Sequence, residues 1–250
     1  MNNHSKKLLS VAAIIGVFVS LALVAVPEAF ADDHKSDHYR WPVVFSPDKP
    51  VFGMTYGQWA AKWWQWEFSL PTSENPWFDS EAKDGIGQSP NAGIGQSGPV
   101  YFLTGILTGE PVVKRTITVP AGKAFFFPIF NAWSDNVGVE PPMTFKELQE
   151  SAASLLNVSE LHVSIDGKQL RNLFHYRVKS PPFCDWFPST DNVYQTQYGS
   201  TFSGWTCPVA SDGYWLMLAP LAIGNHTINF GGTSGSFTLD VTYYVNVIKP

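Results

Sequence analysis

The sequence predicts a mainly β protein, an antiparallel two-sheet sandwich or jelly roll led by a tryptophan-rich helix and carrying one further short helix. Three observations lead there. From Val100 onward apolar residues recur with a period of two, as in half-buried strands, rather than 3.6. The apolar runs are bounded by turn signals such as Pro-Ala-Gly-Lys at 120–123 and Asp166-Gly167. Two segments, opening at Thr55 and Thr144, carry the paired signals of a helix N-terminus.

Lys6 and Lys7 precede an apolar run from Leu8 to Val26, then Pro27 and the small-residue site Ala29-Phe30-Ala31, the pattern of an export leader cleaved before Asp32. The run is long enough to span a bilayer, so membrane attachment follows if the leader is kept. No second run of that length occurs. The expected organisation is a signal peptide over 1–31, a polar tail and extended lead-in over 32–54, and a single β-sandwich domain with its N-terminal helix over 55–250. At 250 residues, 44% hydrophobic and 15% aromatic, the chain can fill one core.

The net charge is −5, and losing Lys6, Lys7 and Glu28 with the leader makes the chain one unit more acidic, so nothing attracts nucleic acid. Cys184 and Cys207 are the two cysteines, and in an exported chain they are expected to form one disulfide. Cleavage before Asp32 would leave Asp32-Asp33-His34 with a free amine. The α-amine, two backbone amides and the His34 imidazole then offer four nitrogens suited to Cu(II) or Ni(II), resembling the amino-terminal copper and nickel motif of albumins. As a charged tail, the same residues need no metal.

The first helix is predicted over residues 56 to 69. Thr55 and Gln58 form a capping box, Met54 and Trp59 occupy the staple positions, and Pro71 ends the helix. Trp59, Trp63, Trp66 and Leu70 share one face, while Gly57, Ala60, Ala61, Trp64 and Phe68 add a second apolar strip. A helix apolar over most of its circumference is buried; as a ligand site, Trp59, Trp63 and Trp66 would stack on sugars or cage a cation. Glu67 is read as a surface residue whose pKa would rise if it were buried.

The stretch from Pro71 to Pro99 lacks periodicity and repeats GIGQS at 85–89 and 93–97. No lysine or helix signal follows, so phosphate binding is not indicated; the loop is a candidate rim for a site. Strands are expected at Val100–Leu103, Val112–Val119 and Ala124–Phe130, with Pro128 marking an edge or a bulge. A helix runs from Thr144 towards Asn157. Leu161–Ile165 returns through Asp166-Gly167 to Lys168–Val178 as a hairpin. Strands at Tyr214–Leu218, His226–Phe230 and Ser236–Ile248 follow, the last with Phe237, Leu239, Val241, Tyr243, Val245 and Val247 inward.

The segments YGQWAAKWWQWEFSLP, GQSGPVYFLTG, TVPAGKAFFFPIFNAW, SIDGKQL with YRVKSPPF, and SDGYWLMLAPLAIGNHTINFGG resemble a group of exported bacterial β-rich proteins without an assigned activity. The resemblance spans nearly all of residues 32–250 and implies no catalytic residue. Relatives in that group carry extra cysteines near GQSGPV and TVPAGK that this chain lacks, so their disulfides do not transfer.

Local catalytic signatures such as G-x-S-x-G and H-E-x-x-H are absent. If the hairpin at Asp166-Gly167 continues in register, Glu160, His162, Arg171, His175 and Arg177 share one face. Such a face could do acid–base chemistry or clamp an anion, or simply be a solvated surface with ion pairs. Trp186 and Trp205 stand two residues from Cys184 and Cys207, so both indoles should lie on the bridge's side, packed on it or stacking on a ligand. His226 is read as a satisfied turn histidine. The functional expectation is an exported, non-catalytic binding protein of the envelope or extracellular space with a glycan or envelope polymer as partner. The alternatives are a polysaccharide hydrolase or lyase using Glu160, His162, Arg171 and His175, and a structural envelope protein.

Overall fold

Thr55 opens helix α1 (Tyr56–Ser69) by accepting a hydrogen bond from Gln58 N, while Gln58 Oε1 accepts from Thr55 N at 2.9 Å. Leu70 is already extended ahead of Pro71, so the helix stops where proline forbids the next turn. This computed structural model describes residues 43–79, 89–107 and 112–250. The expected leader, the Asp32-Asp33-His34 site and most of the first GIGQS copy lie outside those residues.

The strands are β1 (Val100–Phe102), β2 (Val112–Pro120), β3 (Ala124–Ser134), β4 (Val158–Ile165), β5 (Lys168–Gln169), β6 (Arg177–Lys179), β7 (Phe183–Phe187), β8 (Gly204–Leu218), β9 (Gly224–Ser234) and β10 (Phe237–Ile248). Two further α-helices are α2 (Phe145–Ser154) and α3 (Val193–Tyr198). One sheet runs β1-β3-β8-β6, with β7 added to β8; the other runs β2-β10-β9-β4-β5.

The expected two-sheet architecture holds, but both sheets are mixed: β1 pairs parallel to β3, and β2 parallel to β10. The turn joining β2 to β3 sends the two strands into different sheets. β2 therefore finds its partner in the chain's last strand, from Val112 opposite Asp240 to Pro120 opposite Ile248. Helix α3 had no sequence expectation, although Asn192 and Gln195 form a third capping box and Gly199 closes it at φ +62°.

Two cores result. One fills the space between the sheets, where β10 buries Leu239, Val241, Tyr243, Val245 and Val247 as alternation predicts. The other lies between α1 and the outer face of the first sheet, joining Trp59, Trp63, Trp64 and Trp66 to Phe126, Trp215 and Met217. With apolar layers on both faces, β3 reads as a continuous apolar run, AFFFPIF, rather than an alternating one. Pro128 sits at a bulge within it.

The long hairpin is corrected. Asp166 and Gly167 form the turn, at φ +50° and +75°, and Ile165 opposes Lys168 with Ser164 opposite Gln169. Pairing ends there. Asn172 adopts φ +59°, Leu173 drops into the inter-sheet core, and Leu173–Tyr176 form a 3-10 turn. The chain then enters the other sheet as β6, beside β8. One buried leucine thus redirects a strand that period-two reading extends to Val178.

Candidate functional site

The proposed catalytic face does not assemble, because β4 and β6 lie in different sheets. His162 meets Asp240 at 3.3 Å, His175 meets Asp48 at 3.3 Å, and Arg177 Nε donates to Asp212 at 3.0 Å. Glu160 and Arg171 are exposed. Glu160, His162, Arg171 and His175 therefore do not form the hydrolase or lyase geometry expected of them. Both nitrogens of His226 are engaged, Nδ1 with Asp166 at 2.8 Å and Nε2 with the Ala222 carbonyl at 2.9 Å. Among the described residues no group of His, Cys, Asp and Glu could hold a metal ion.

The tryptophans divide. Trp59, Trp63 and Trp66 are buried, and each indole N–H donates to a backbone carbonyl: Val51, Leu103 and Ile94 respectively. Trp186 and Trp205 are 41% and 68% exposed. They sit directly opposite each other across the β7–β8 ladder. Alternation explains the contrast within this hairpin: Phe183, Asp185 and Phe187 point inward, so Cys184 and Trp186 point outward. The Cys184–Cys207 disulfide, with Cα atoms 4.6 Å apart, ties the two strands beside the indoles. Gln65 Nε2 donates to the Cys184 carbonyl at 3.0 Å and fastens the hairpin to α1.

Trp186, Trp205, Gln65 and Ser69 enclose a cleft of about 380 Å³. Two indoles and the polar side chains of Gln65 and Ser69 line it, the Ser69 hydroxyl donating to the Trp66 carbonyl at 2.8 Å. Gln65 and Ser69 belong to the stripe Gln58, Lys62, Gln65, Ser69, which is the part of α1 left outside the core. That stripe was present in the sequence as spacings of four, three and four, but tryptophan spacing alone did not point to it.

A second cavity, of about 190 Å³, lies where β1 ends and leaves the edge of β3 uncovered. Trp63, Trp64, Trp77 and Trp133 face Phe237 and Leu239 across it. Among the described residues Asn131 is its sole lining side chain with a hydrogen-bonding amide.

Among the described residues two carboxyl groups, of Glu67 and Asp185, are buried with no hydrogen-bond partner on either oxygen. Glu67 is pushed up to about 8 by burial, against the opposing pull of the Thr104 hydroxyl, the Arg115 guanidinium and the Asn75 amide, none of which forms a hydrogen bond of ordinary geometry with it. The surface reading of Glu67 is thus overturned: it is 0% exposed. Arg115, itself buried, spends its donors on the carbonyls of Thr104, Gly105 and Pro76, and it stacks over the Tyr243 ring at 5.6 Å. Asp185 rises to about 8 through burial and repulsion from Asp135. Asp135 accepts from Tyr194, Trp133 and Val137 N. Neither Glu67 nor Asp185 lines the cavities described, so neither is placed to protonate a ligand.

No family model matches the chain, and no curated protein matches it. Among solved structures, a cysteine protease inhibitor from Entamoeba histolytica aligns with 60% of this chain and 96% of its own, at 13% identity and a TM-score of 0.23. A likeness that slight carries no argument about this protein. No helix among the described residues is long and apolar enough to cross a membrane.

Proposed function

We propose that the protein is an exported, non-catalytic glycan-binding protein of the cell envelope or extracellular space, holding a saccharide between Trp186 and Trp205. The observation that carries this reading is the exposed indole pair, held opposite each other on a ladder that a disulfide pins. Exposed tryptophan faces offer large apolar area at little conformational cost, and they match the apolar C–H faces of a sugar ring. Gln65 and Ser69 meet the hydroxyls at its edge. The leader-like N-terminus and the disulfide support export.

The test is binding of purified residues 32–250 to a panel of linear oligosaccharides, read by tryptophan fluorescence and calorimetry, with product analysis to detect turnover. Trp205→Ala and Trp186→Ala should each weaken binding about tenfold or more. A panel without any ligand, or Trp205→Ala binding as the parent does, refutes the reading.

A further inference from the structure

The polar stripe of α1 serves more than one cleft. Gln65 also lines a second recess of about 470 Å³, walled by Phe52 and Met54 on one side and by Gly95, Ser97 and Phe102 on the other. Trp59 and Trp66 close its floor, and their N–H groups hold the two walls. Trp59 donates to Val51 at 2.8 Å and Trp66 to Ile94 at 2.9 Å.

The second GIGQS copy is the far wall. Gly95 sits at φ +68°, and a Cβ there would lie 3.1 Å from Trp66, so both backbone and space require glycine. Gln96 donates to Ala92 O at 3.0 Å and Phe102 O at 2.9 Å and accepts from Phe102 N at 2.9 Å, bracing the loop on β1. Ser97 is left facing the recess.

The recess is locally basic in an acidic chain. Lys62 lines it, is exposed, and makes no hydrogen bond or ion pair among the described residues. Lys123 Nζ donates to the carbonyl of Gly98, another lining residue, which places a second ammonium at the rim. Among the described residues no acidic side chain lines either cleft.

We propose, resting on the glycan reading above, that the two clefts are one groove joined at Gln65. It binds a linear acidic polysaccharide lying across α1, with a uronic-acid ring against the exposed Phe52 and the half-buried Phe102 and its carboxylate at Lys62. One ring stacks at Trp186 and Trp205, and the chain passes over Ser69 and Gln65 to reach the lysine. Rings linked in one chain bind the second cleft intramolecularly once the first is occupied. Lys62 stands in solvent, where an ion pair is weak and screened, so it selects among glycans more than it adds affinity.

The experiment is calorimetry on residues 32–250 with di- and hexamers of galacturonate and of alginate, each as the free acid and as the neutral methyl ester. The acidic hexamer of at least one series should bind about tenfold tighter than its dimer. Lys62→Gln or esterification should weaken that hexamer roughly two- to fivefold. Phe52→Ala, at an exposed position, should weaken hexamers and leave dimers alone. Equal binding of dimer and hexamer, or of acid and ester, overturns the acidic groove. Dimer binding that Trp205→Ala abolishes would still uphold the glycan reading in that case. Failure of every saccharide overturns both.

Discussion

Two groups of tryptophans, one on α1 and one on the β7–β8 hairpin, differ in what surrounds the indole rather than in the residue. On α1, Trp63 is 0% exposed, gives its N–H to Leu103, and packs against Trp64, Trp66, Trp77 and Trp215 at centroid distances of 5.0–6.1 Å. On the hairpin, Trp205 is 68% exposed and packs into neither core. An aromatic side chain whose polar edge and apolar faces are all satisfied within the protein serves the fold. One left in solvent on a rigid ladder is available to a ligand.

The largest expected effect comes from breaking the first group. Trp63→Ala removes the centre of the aromatic cluster and strands the Leu103 carbonyl, and it should cost roughly 3–5 kcal/mol in denaturant unfolding. A variant that melts with the parent would return Trp63 to the ligand-binding class.

The buried carboxyls that accompany this core give it a pH signature. Glu67 and Asp185 have ordinary values of 4.5 and 3.8 and folded values of about 8. Between those limits the folded state binds more protons at these two groups than the unfolded one, so the stability they contribute is fully present below about pH 4 and is lost as pH rises to about 8. Each group should contribute a loss on the order of a few kcal/mol over that range. Glu67→Gln, which keeps the shape of the neutral acid, should flatten its share of the slope in urea unfolding. A slope unchanged by both Glu67→Gln and Asp185→Asn would show that these groups do not hold their protons.

The disulfide tests whether the hairpin is as rigid as the comparison requires. Replacing Cys184 and Cys207 by alanine should cost ~3 kcal/mol by the loop-entropy argument and should weaken saccharide binding as the indole pair loosens. Binding that survives the double replacement intact would mean that the cleft does not depend on the pinned ladder.

The smallest expected effect on stability is the most discriminating. Trp205→Ala should change unfolding free energy by no more than about 0.5 kcal/mol, because the side chain is mostly in water. A loss as large as that of Trp63→Ala would place Trp205 among the structural tryptophans and erase the distinction.

Local signals were legible wherever they are short-range. The capping boxes at Thr55–Gln58 and Thr144–Glu147, the Asp166-Gly167 turn and the alternation of β10 all depend on neighbours within a few residues, and the structure repeats them. The pairing of Cys184 with Cys207 was forced by having two cysteines. That Trp186, Trp205 and the bridge share one side of the ladder follows from strand alternation alone.

Tertiary structure decided what depends on distant partners. Pattern alone cannot show that β2 runs parallel to β10, because a strand's period does not name its neighbour. Leu173 turned the expected hairpin across to the other sheet by claiming a place in the core, and the Glu160, His162, Arg171 and His175 face dissolved with it. Glu67 looks like a surface acid in the sequence because glutamates are seldom fully buried. Its carboxyl instead lies buried near Thr104, Arg115 and Asn75, residues distant in sequence or beyond the helix end. The polar residues Lys62, Gln65 and Ser69 came to line two clefts only when the hairpin and the GIGQS loop closed on either side of α1. The sequence determined which surfaces are apolar and where turns fall, since those follow from each residue and its near neighbours. Which apolar surfaces meet, and which tryptophans are left over in water, was decided by long-range packing that no local pattern encodes.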